Sequence, residues 1–266
     1  MKMQIITSKD NEIIKSIRKL KERKYRDQEK EYIIEGIKLI EEAIQEKAEI
    51  SKIVICDECM KENKIDTKIM YEIARYDCFS VPEKVFKTIT DVNTPQGILA
   101  VLKKKTEENK EIDYSEEVIL ALDNIQDPGN LGTILRTVDS VGLKQIIVSK
   151  GSVDPFSPKV VRSTMGAIFR LNIIEVENIE EVLKECKENN FKVVATSLNT
   201  KESIYDVKYN KTVIVIGNEA NGVSKEVLSL SNKKVKIPML GKTESLNASV
   251  ATGVILYEYV RQKLSK

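Results

Sequence analysis

The sequence predicts an α/β protein built of two domains. Three observations carry that prediction. Short apolar runs alternate with amphipathic helical stretches, a polar stretch at 103–117 breaks the alternation, and the apolar runs beyond it end in polar turns. At 266 residues, 41% hydrophobic and 32% charged, the chain is long enough for two cores of moderate size.

Taken in order, Ile13, Ile14, Ile17 and Leu20 keep helical spacing and predict an amphipathic helix over 11–24 with its basic face outward. A rhythm follows: strand 32–35, helix 36–47, strand 50–56, helix 61–75, short strand 78–81, helix 82–90 and strand 97–102. Such alternation makes a compact α/β sandwich. Thirteen of the fifteen residues at 103–117 are polar, which sets a first domain at 1–105, a linker at 106–117 and a second domain at 118–266. There, strands are expected at 118–122, 145–149, 171–176, 191–196, 212–216 and 234–238. Helices are expected after 128, at 159–169, at 179–189, from Ser224 and over 245–263.

Composition excludes several chemistries. There is no histidine, which removes Ser-His-Asp and Cys-His hydrolases and the usual general base. Zinc would need four ligands, and of the four cysteines, Cys56, Cys59, Cys78 and Cys186, only the pair in Cys56-Asp-Glu-Cys59 is close in sequence, at a strand end, so buried or incidental reduced thiols are expected and no metal. The longest apolar runs are about six to eight residues, short of the ~20 that a membrane helix needs, and the opening residues start no signal peptide. A cytoplasmic location away from membranes is expected. Net charge is +2, split as +3 over residues 1–105 and −1 over the remainder. Locally, Lys15, Arg18, Lys19, Lys21, Arg23, Lys24 and Arg26 crowd seven cations into twelve residues, a density suited to phosphates or, equally, to a solvated helix face.

Three polar turns stand out. Five apolar residues from Val118 to Leu122 stop at DNIQDPG, and Ile134, Leu135, Val138 and Val141 mark the helix after it. Asn130 is expected where that helix begins, with Arg136 at most two turns further on. Parallel α/β sheets place ligands at such strand-to-helix corners. A second apolar run ends in Gly217-Asn218-Glu219-Ala220-Asn221-Gly222, which on its own reads as a plain turn or as a close backbone approach to a ligand. The third stretch, MLGKTESLNAS, has the GKT of a phosphate-binding loop, but Lys236 stands where the leading glycine belongs, so that reading fails. Ser245 and Asn247 open the final helix, where capping alone also accounts for them.

DNIQDPGNLGTILRT, VIVIGNEANGVS and IPMLGKTESLNASVATGVILYEY, in this order, resemble the three motifs of the SpoU-type, or TrmH-like, RNA 2′-O-ribose methyltransferases of the SPOUT superfamily. The resemblance covers about residues 118–263. YIIEGIKLIEEA is similar to the opening of the L30e-like substrate-binding domain that precedes the catalytic domain in ribosomal-RNA members.

The resemblance implies a C-terminal parallel-sheet α/β/α domain with a deep trefoil knot, preceded by a smaller L30e-like α/β sandwich. It implies S-adenosylmethionine as cofactor, gripped by backbone groups of Thr196, Gly217, Ile237 and Leu246 with Ala248 close by; core packing is the other reading of these residues. Motif matching assigns Asn130, Arg136, Glu219, Ser245 and Asn247 to catalysis. An arginine stays protonated in proteins, which favours Arg136 as a fixed cation over a base. Glu219 either fixes Arg136, accepts a ribose hydrogen bond or makes a structural salt bridge. The resemblance also implies a homodimer through the last helix, for which Leu256, Tyr257, Tyr259 and Val260 are candidates, with intrachain packing as the equal alternative. RNA, ribosomal before transfer RNA, is the expected partner. Lys15, Arg18, Lys19, Lys21, Arg23, Lys24 and Arg162 are its expected phosphate contacts, and Tyr25 and Tyr32 the aromatics available for stacking. An RNA-binding protein without activity and a knotted transferase acting on a base are the competing readings.

Overall fold

The computed structural model describes residues 3–60, 66–104 and 111–265. The chain divides into two compact units, one spanning Met1–Lys105 with Phe156–Phe169, the other Thr106–Pro155 with Arg170–Lys266, each taken over its described residues.

In the first unit the strands are β1 (Gln4–Ile5), β2 (Glu31–Glu35), β3 (Ile50–Ile55), β4 (Cys78–Ser80) and β5 (Ile98–Lys103), in the order β1-β4-β3-β5-β2. The sheet is mixed: β4 runs parallel to β1 and β3, while β5 runs antiparallel to β2 and β3. The first helices of the chain are α1 (Glu12–Lys19), α2 (Arg23–Glu29), α3 (Ile37–Gln45), α4 (Asp57–Met60), α5 (Thr67–Ile73) and α6 (Glu83–Phe86). Ile14, Ile17 and Leu20 from α1 and its end join Phe79, Phe86, Leu99 and Val101 in one buried cluster. Strand β1 was too short to leave a periodic signal. Residues 61–65 of the expected helix 61–75 lie outside the described residues.

The expected single helix over 11–24 is instead two. Asn11 caps α1 by accepting from the Ile13 N–H, and the chain turns at Leu20–Glu22 before α2. The reason is Arg26: it is buried, and its Nη1 donates to the carbonyls of Leu20 and Lys21, both at 2.7 Å, satisfying groups that a continuing helix would have used itself. Tyr32, expected as a stacking aromatic, is also inside, its ring 5.0 Å from that of Phe156.

The second unit contains β6 (Val118–Asp123), β7 (Gln145–Ser149), β8 (Asn172–Val176), β9 (Lys192–Thr196), β10 (Thr212–Gly217) and β11 (Lys233–Val235), in the order β11-β9-β10-β6-β7-β8 and parallel throughout. Central β6 and β10 are buried at every residue, which is why they read as unbroken apolar runs. The helices completing the chain are α7 (Pro128–Ser140), α8 (Pro158–Ser163), α9 (Ala167–Arg170), α10 (Ile179–Glu188), α11 (Lys225–Leu230) and α12 (Ala248–Leu264). In α7, Asp127 is the N-cap, Pro128 occupies the first helical position and Gly142, at φ +80°, ends the last turn.

Several expectations shift. The helix expected at 159–169 breaks at Met165 and Gly166, whose φ values are +51° and +93°, and a Cβ on Gly166 would stand 3.0 Å from the Glu42 carboxylate. That segment packs with the first unit, where α8 lies against β2, although the boundary at 118 had put it in the second. Of the expected linker, residues 106–110 lie outside the described residues. Ile112 and Tyr114 pack on the core of the second unit, and the Tyr114 hydroxyl donates to Glu185 at 2.6 Å.

Candidate active site

Strand order reverses between β6 and β10: the chain runs outward from β6 through β7 to β8, then returns to build β9, β10 and β11 on the other side. Parallel sheets open a crevice at the carboxyl ends of the strands at such a switch point. Asp123 and Gly217 are register partners there. The Asp123 carboxylate accepts from the Ser224 N–H at 2.8 Å. Asn218 donates its amide to the Asn124 carbonyl at 2.9 Å and accepts from the N–H groups of Ala220 and Asn221. A Cβ on Gly217 would stand 2.1 Å from the Gly222 carbonyl carbon, so only glycine lets the turn fold back on itself.

That turn presents Glu219 at its exposed tip. The Asn130 side-chain amide donates to Glu219 Oε1 at 2.8 Å, and Asn247 Nδ2 donates to Asn130 Oδ1 at 2.9 Å. Three residues separated by 89 and 117 positions in sequence thus form one hydrogen-bonded row. Asn130 is the third residue of α7 rather than its first, because Pro128 and the Asp127 cap start the helix earlier; the same cap accepts the Asn130 N–H at 2.8 Å. Asn247 divides its amide: the oxygen caps α12 by accepting from the N–H groups of Ser249 and Val250, and the nitrogen reaches Asn130. Capping and site chemistry are both true of this residue.

Arg136 stands apart from the row. Six residues at about 100° each turn it roughly 120° away from the face of Asn130. Its side chain is exposed and makes no hydrogen bond or ion pair with the described residues. Ser245, expected to open the last helix, lies before Asn247 on an exposed stretch, and the helix begins at Ala248.

Thr196 ends β9, Gly217 ends β10 and Ile237 lies two residues past β11, so three of the expected cofactor residues sit along the carboxyl edge of three adjoining strands. Ala248 is buried at the start of α12, and Leu246 is 36% exposed. From Ile237 to Leu246, no residue makes a hydrogen bond with the described residues. A row of open backbone donors and acceptors beside a closed glycine turn fits a ligand read by its hydrogen-bonding edge, as an adenine would be.

The basic cluster of the first unit is largely spent inside the chain. Arg18 Nη2 donates to the Lys9 carbonyl and to Thr88 Oγ1; Lys21 donates to the Thr90 carbonyl and pairs with Asp91 at 2.8 Å. Lys15 pairs with Glu12, and Arg23 with Asp27. Lys19 and Lys24 remain exposed, their ammonium groups 5.4 and 5.8 Å from the centroid of the Tyr25 ring. Arg162, on α8, lines a small cavity with Ile33, Glu35, Ile89, Asp91 and Pro158. Burial there raises the pKa of Glu35, opposed by the Thr90 hydroxyl donating at 2.6 Å and by the Arg162 charge.

Cys56 and Cys59 lie with sulfurs 2.9 Å apart, but among the described residues no group of three or more His, Cys, Asp or Glu side chains could hold a metal. Burial and the neighbouring Cys56 push the Cys59 thiol up to about 12, which keeps it protonated. No helix among the described residues is long and apolar enough to cross a membrane.

Sequence reasoning missed Asn218, Asp123 and Asn124, which hold the two turns together. Asn218 was visible only as one of two amides in its turn, and nothing in the sequence said which of them faces inward.

Comparison with known proteins identifies the family. The SpoU rRNA Methylase family profile matches residues 117–257, and an MRM3-like substrate binding domain profile matches residues 11–100. The chain is 30% identical over 256 residues, 96% of its own length and 98% of the relative's, to 23S rRNA (guanosine(2553)-2′-O)-methyltransferase RlmP of Bacillus subtilis. Its fold is similar to the AdoMet-bound rRNA methyltransferase of Sinorhizobium meliloti, with TM-score 0.85 and 32% identity over 97% of this chain and 98% of that one. The SpoU methyltransferase AviRb of Streptomyces viridochromogenes in complex with AdoMet gives TM-score 0.84 at 25% identity, covering 96% and 99%. The three motifs, the parallel sheet that gathers them and these matches together show that the chain belongs to the SpoU family of S-adenosylmethionine-dependent RNA methyltransferases.

Proposed function

We propose that the enzyme methylates a ribose 2′-hydroxyl of ribosomal RNA, with 23S RNA as the substrate class. The single observation that carries the reading is the Asn247–Asn130–Glu219 row, which sets one carboxylate, held by a fixed amide, at the mouth of the crevice. The similarity to the Bacillus subtilis enzyme supports the choice of RNA.

A ribose hydroxyl is a poor nucleophile, so the site must polarise it, take up its proton and hold its oxygen in line behind the methyl carbon, opposite the sulfonium sulfur that leaves. S-adenosylmethionine, held by the backbone of Thr196, Gly217, Ile237 and Leu246 beside Ala248, supplies an electrophilic methyl group on a sulfonium. Glu219 accepts the hydroxyl proton's hydrogen bond. Asn130 fixes Glu219, and Asn247 fixes Asn130, so neither amide is free to flip. Arg136 binds the adjoining phosphate and stabilises charge developing on the ribose oxygen. Ser245 adds a hydroxyl beside Asn247.

The same reading includes a trefoil knot formed by the segment between β11 and α12, an L30e-like fold for the first unit, and a homodimer working in the cytoplasm with its RNA. The dimer has support in the surface of α12. Leu256 and Tyr259 are buried within the chain and drop out as contacts, but Val250, Val254 and Tyr257 leave an apolar stripe, Val250 51% and Tyr257 54% exposed. The Tyr257 hydroxyl lies 3.5 Å from Ser140 on α7, the helix that also exposes Arg136. A second copy on that face would bring Arg136 beside a subunit boundary. Lys19, Lys24 and Arg162 remain as phosphate contacts; Arg18, Lys21 and Arg26 hold the fold that presents them, while Lys15 and Arg23 pair with Glu12 and Asp27 at the surface.

The test is transfer of tritiated methyl groups from S-adenosylmethionine to total RNA of a strain lacking the protein, followed by mapping of alkali-resistant linkages. Label at one ribose of 23S RNA is expected. Label in transfer RNA would move the substrate class, label on a base would overturn the reaction, and cofactor binding without transfer would leave an RNA-binding protein.

A further inference from the structure

The basic cluster at residues 15–26 reads in sequence as one uniform patch, and the structure sorts it into two layers. Arg18, Lys21 and Arg26 turn inward and pin the corner between α1 and α2 to the carbonyls of Lys9, Leu20, Lys21 and Thr90. What that pinned corner presents outward is a single half-buried aromatic ring, Tyr25, with the exposed ammonium groups of Lys19 and Lys24 lying over it on flexible stems that can swing to phosphates.

We propose that Tyr25 with Lys19 and Lys24 is a stacking site for one unpaired nucleobase of the RNA substrate. The inference rests on the reading of the first unit as RNA-binding and deepens it. The chemistry fits one occupant. An aromatic face next to cations matches the alternation of base and phosphate along a single strand, whereas a paired base has no free face to offer. A phosphate alone would need the lysines but not the ring. Because Arg26 and Lys21 fix the corner through backbone carbonyls, the ring is already held in place before RNA arrives and loses little freedom on binding.

The experiment uses the full chain and two fluorescein-labelled probes, a twelve-nucleotide single-stranded oligo(A) RNA and a blunt twelve-base-pair RNA duplex, each titrated at several salt concentrations. Tyr25→Leu is expected to weaken single-strand binding about tenfold and duplex binding less than twofold, with the salt slope unchanged. Tyr25→Phe keeps the ring and should bind as wild type, which also guards against a folding defect. Lys19→Gln and Lys24→Gln should each lower the salt slope for the single strand by about 0.7. Single-strand binding by Tyr25→Leu equal to wild type, or equal loss of both probes, would overturn the proposal alone. Failure of the wild-type chain to bind either probe would remove the RNA-binding reading of this unit, and the proposal with it.

Discussion

The two polar clusters of this enzyme differ in a way that reverses their appearance in the sequence. The cations at 15–26 are contiguous in the chain, yet the structure disperses them: Arg26 is buried, Arg18 and Lys21 are tied to backbone carbonyls, and Lys19 and Lys24 are left outward. Asn130, Glu219 and Asn247 are remote from one another in the chain, yet they meet within hydrogen-bond distance. Neighbours on a short helix share a face only at spacings of three and four, so a run of like charges cannot all point one way. Residues on the turns and helix starts that leave the carboxyl edge of one parallel sheet share that edge whatever their separation in sequence. For a site on this architecture, position at a strand end is therefore better evidence than clustering.

The largest effect expected from that contrast is at Arg136. Arg136→Ala should lower methyl transfer about 10²- to 10³-fold while leaving S-adenosylmethionine affinity nearly intact, measured by single-turnover transfer and equilibrium binding. Equal loss of transfer and cofactor affinity would make the residue structural.

Next, the two layers of the basic cluster should separate. Arg26→Ala leaves the Leu20 and Lys21 carbonyls without a donor inside the protein and should destabilise it by about 2 kcal/mol in thermal unfolding. Lys24→Gln should leave the unfolding midpoint unchanged and weaken RNA binding. The opposite pattern would mean that the outward lysines hold the fold.

The smallest effect is a pair of pH dependences of opposite sign. In the second unit, the hydrogen bond from Arg261 lowers the pKa of Glu258, so its contribution is present above the ordinary glutamate pKa and fades as pH falls through the lower folded value. In the first unit, burial raises the pKa of Glu35 beside Thr90, Arg162 and Asp91. The folded state then binds the proton more tightly, and stability falls as pH rises from the ordinary glutamate pKa to the raised one. Glu258→Gln should flatten the acid limb of the stability profile, and Glu35→Gln the limb just above it. An unchanged profile in either variant would remove that residue from the account.

Much of this was legible in the sequence because apolar runs of β6 and β10 and the polar turns after them are local signals. The three motifs pointed for the same reason to Asn130, Glu219 and Asn247, which the structure brings into one hydrogen-bonded row. What was not legible depends on what sits opposite. Arg26 looks like any surface cation until the turn at Leu20–Glu22 closes over it, and Tyr32 looks available for stacking until Phe156 covers it. Likewise, Leu256 and Tyr259 share a helix with Tyr257, and only packing inside the unit shows that the first two are buried and the third is not.

The central claim is that the Asn247–Asn130–Glu219 row positions the ribose hydroxyl for transfer, and Asn247→Asp tests it most directly. Aspartate still accepts the Ser249 and Val250 N–H groups and so keeps the cap of α12, but it has no amide to donate to Asn130. Single-turnover transfer of labelled methyl groups to RNA should fall about 10²-fold, with cofactor affinity and unfolding midpoint unchanged. Transfer at the wild-type rate by a folded, cofactor-binding variant would contradict the account.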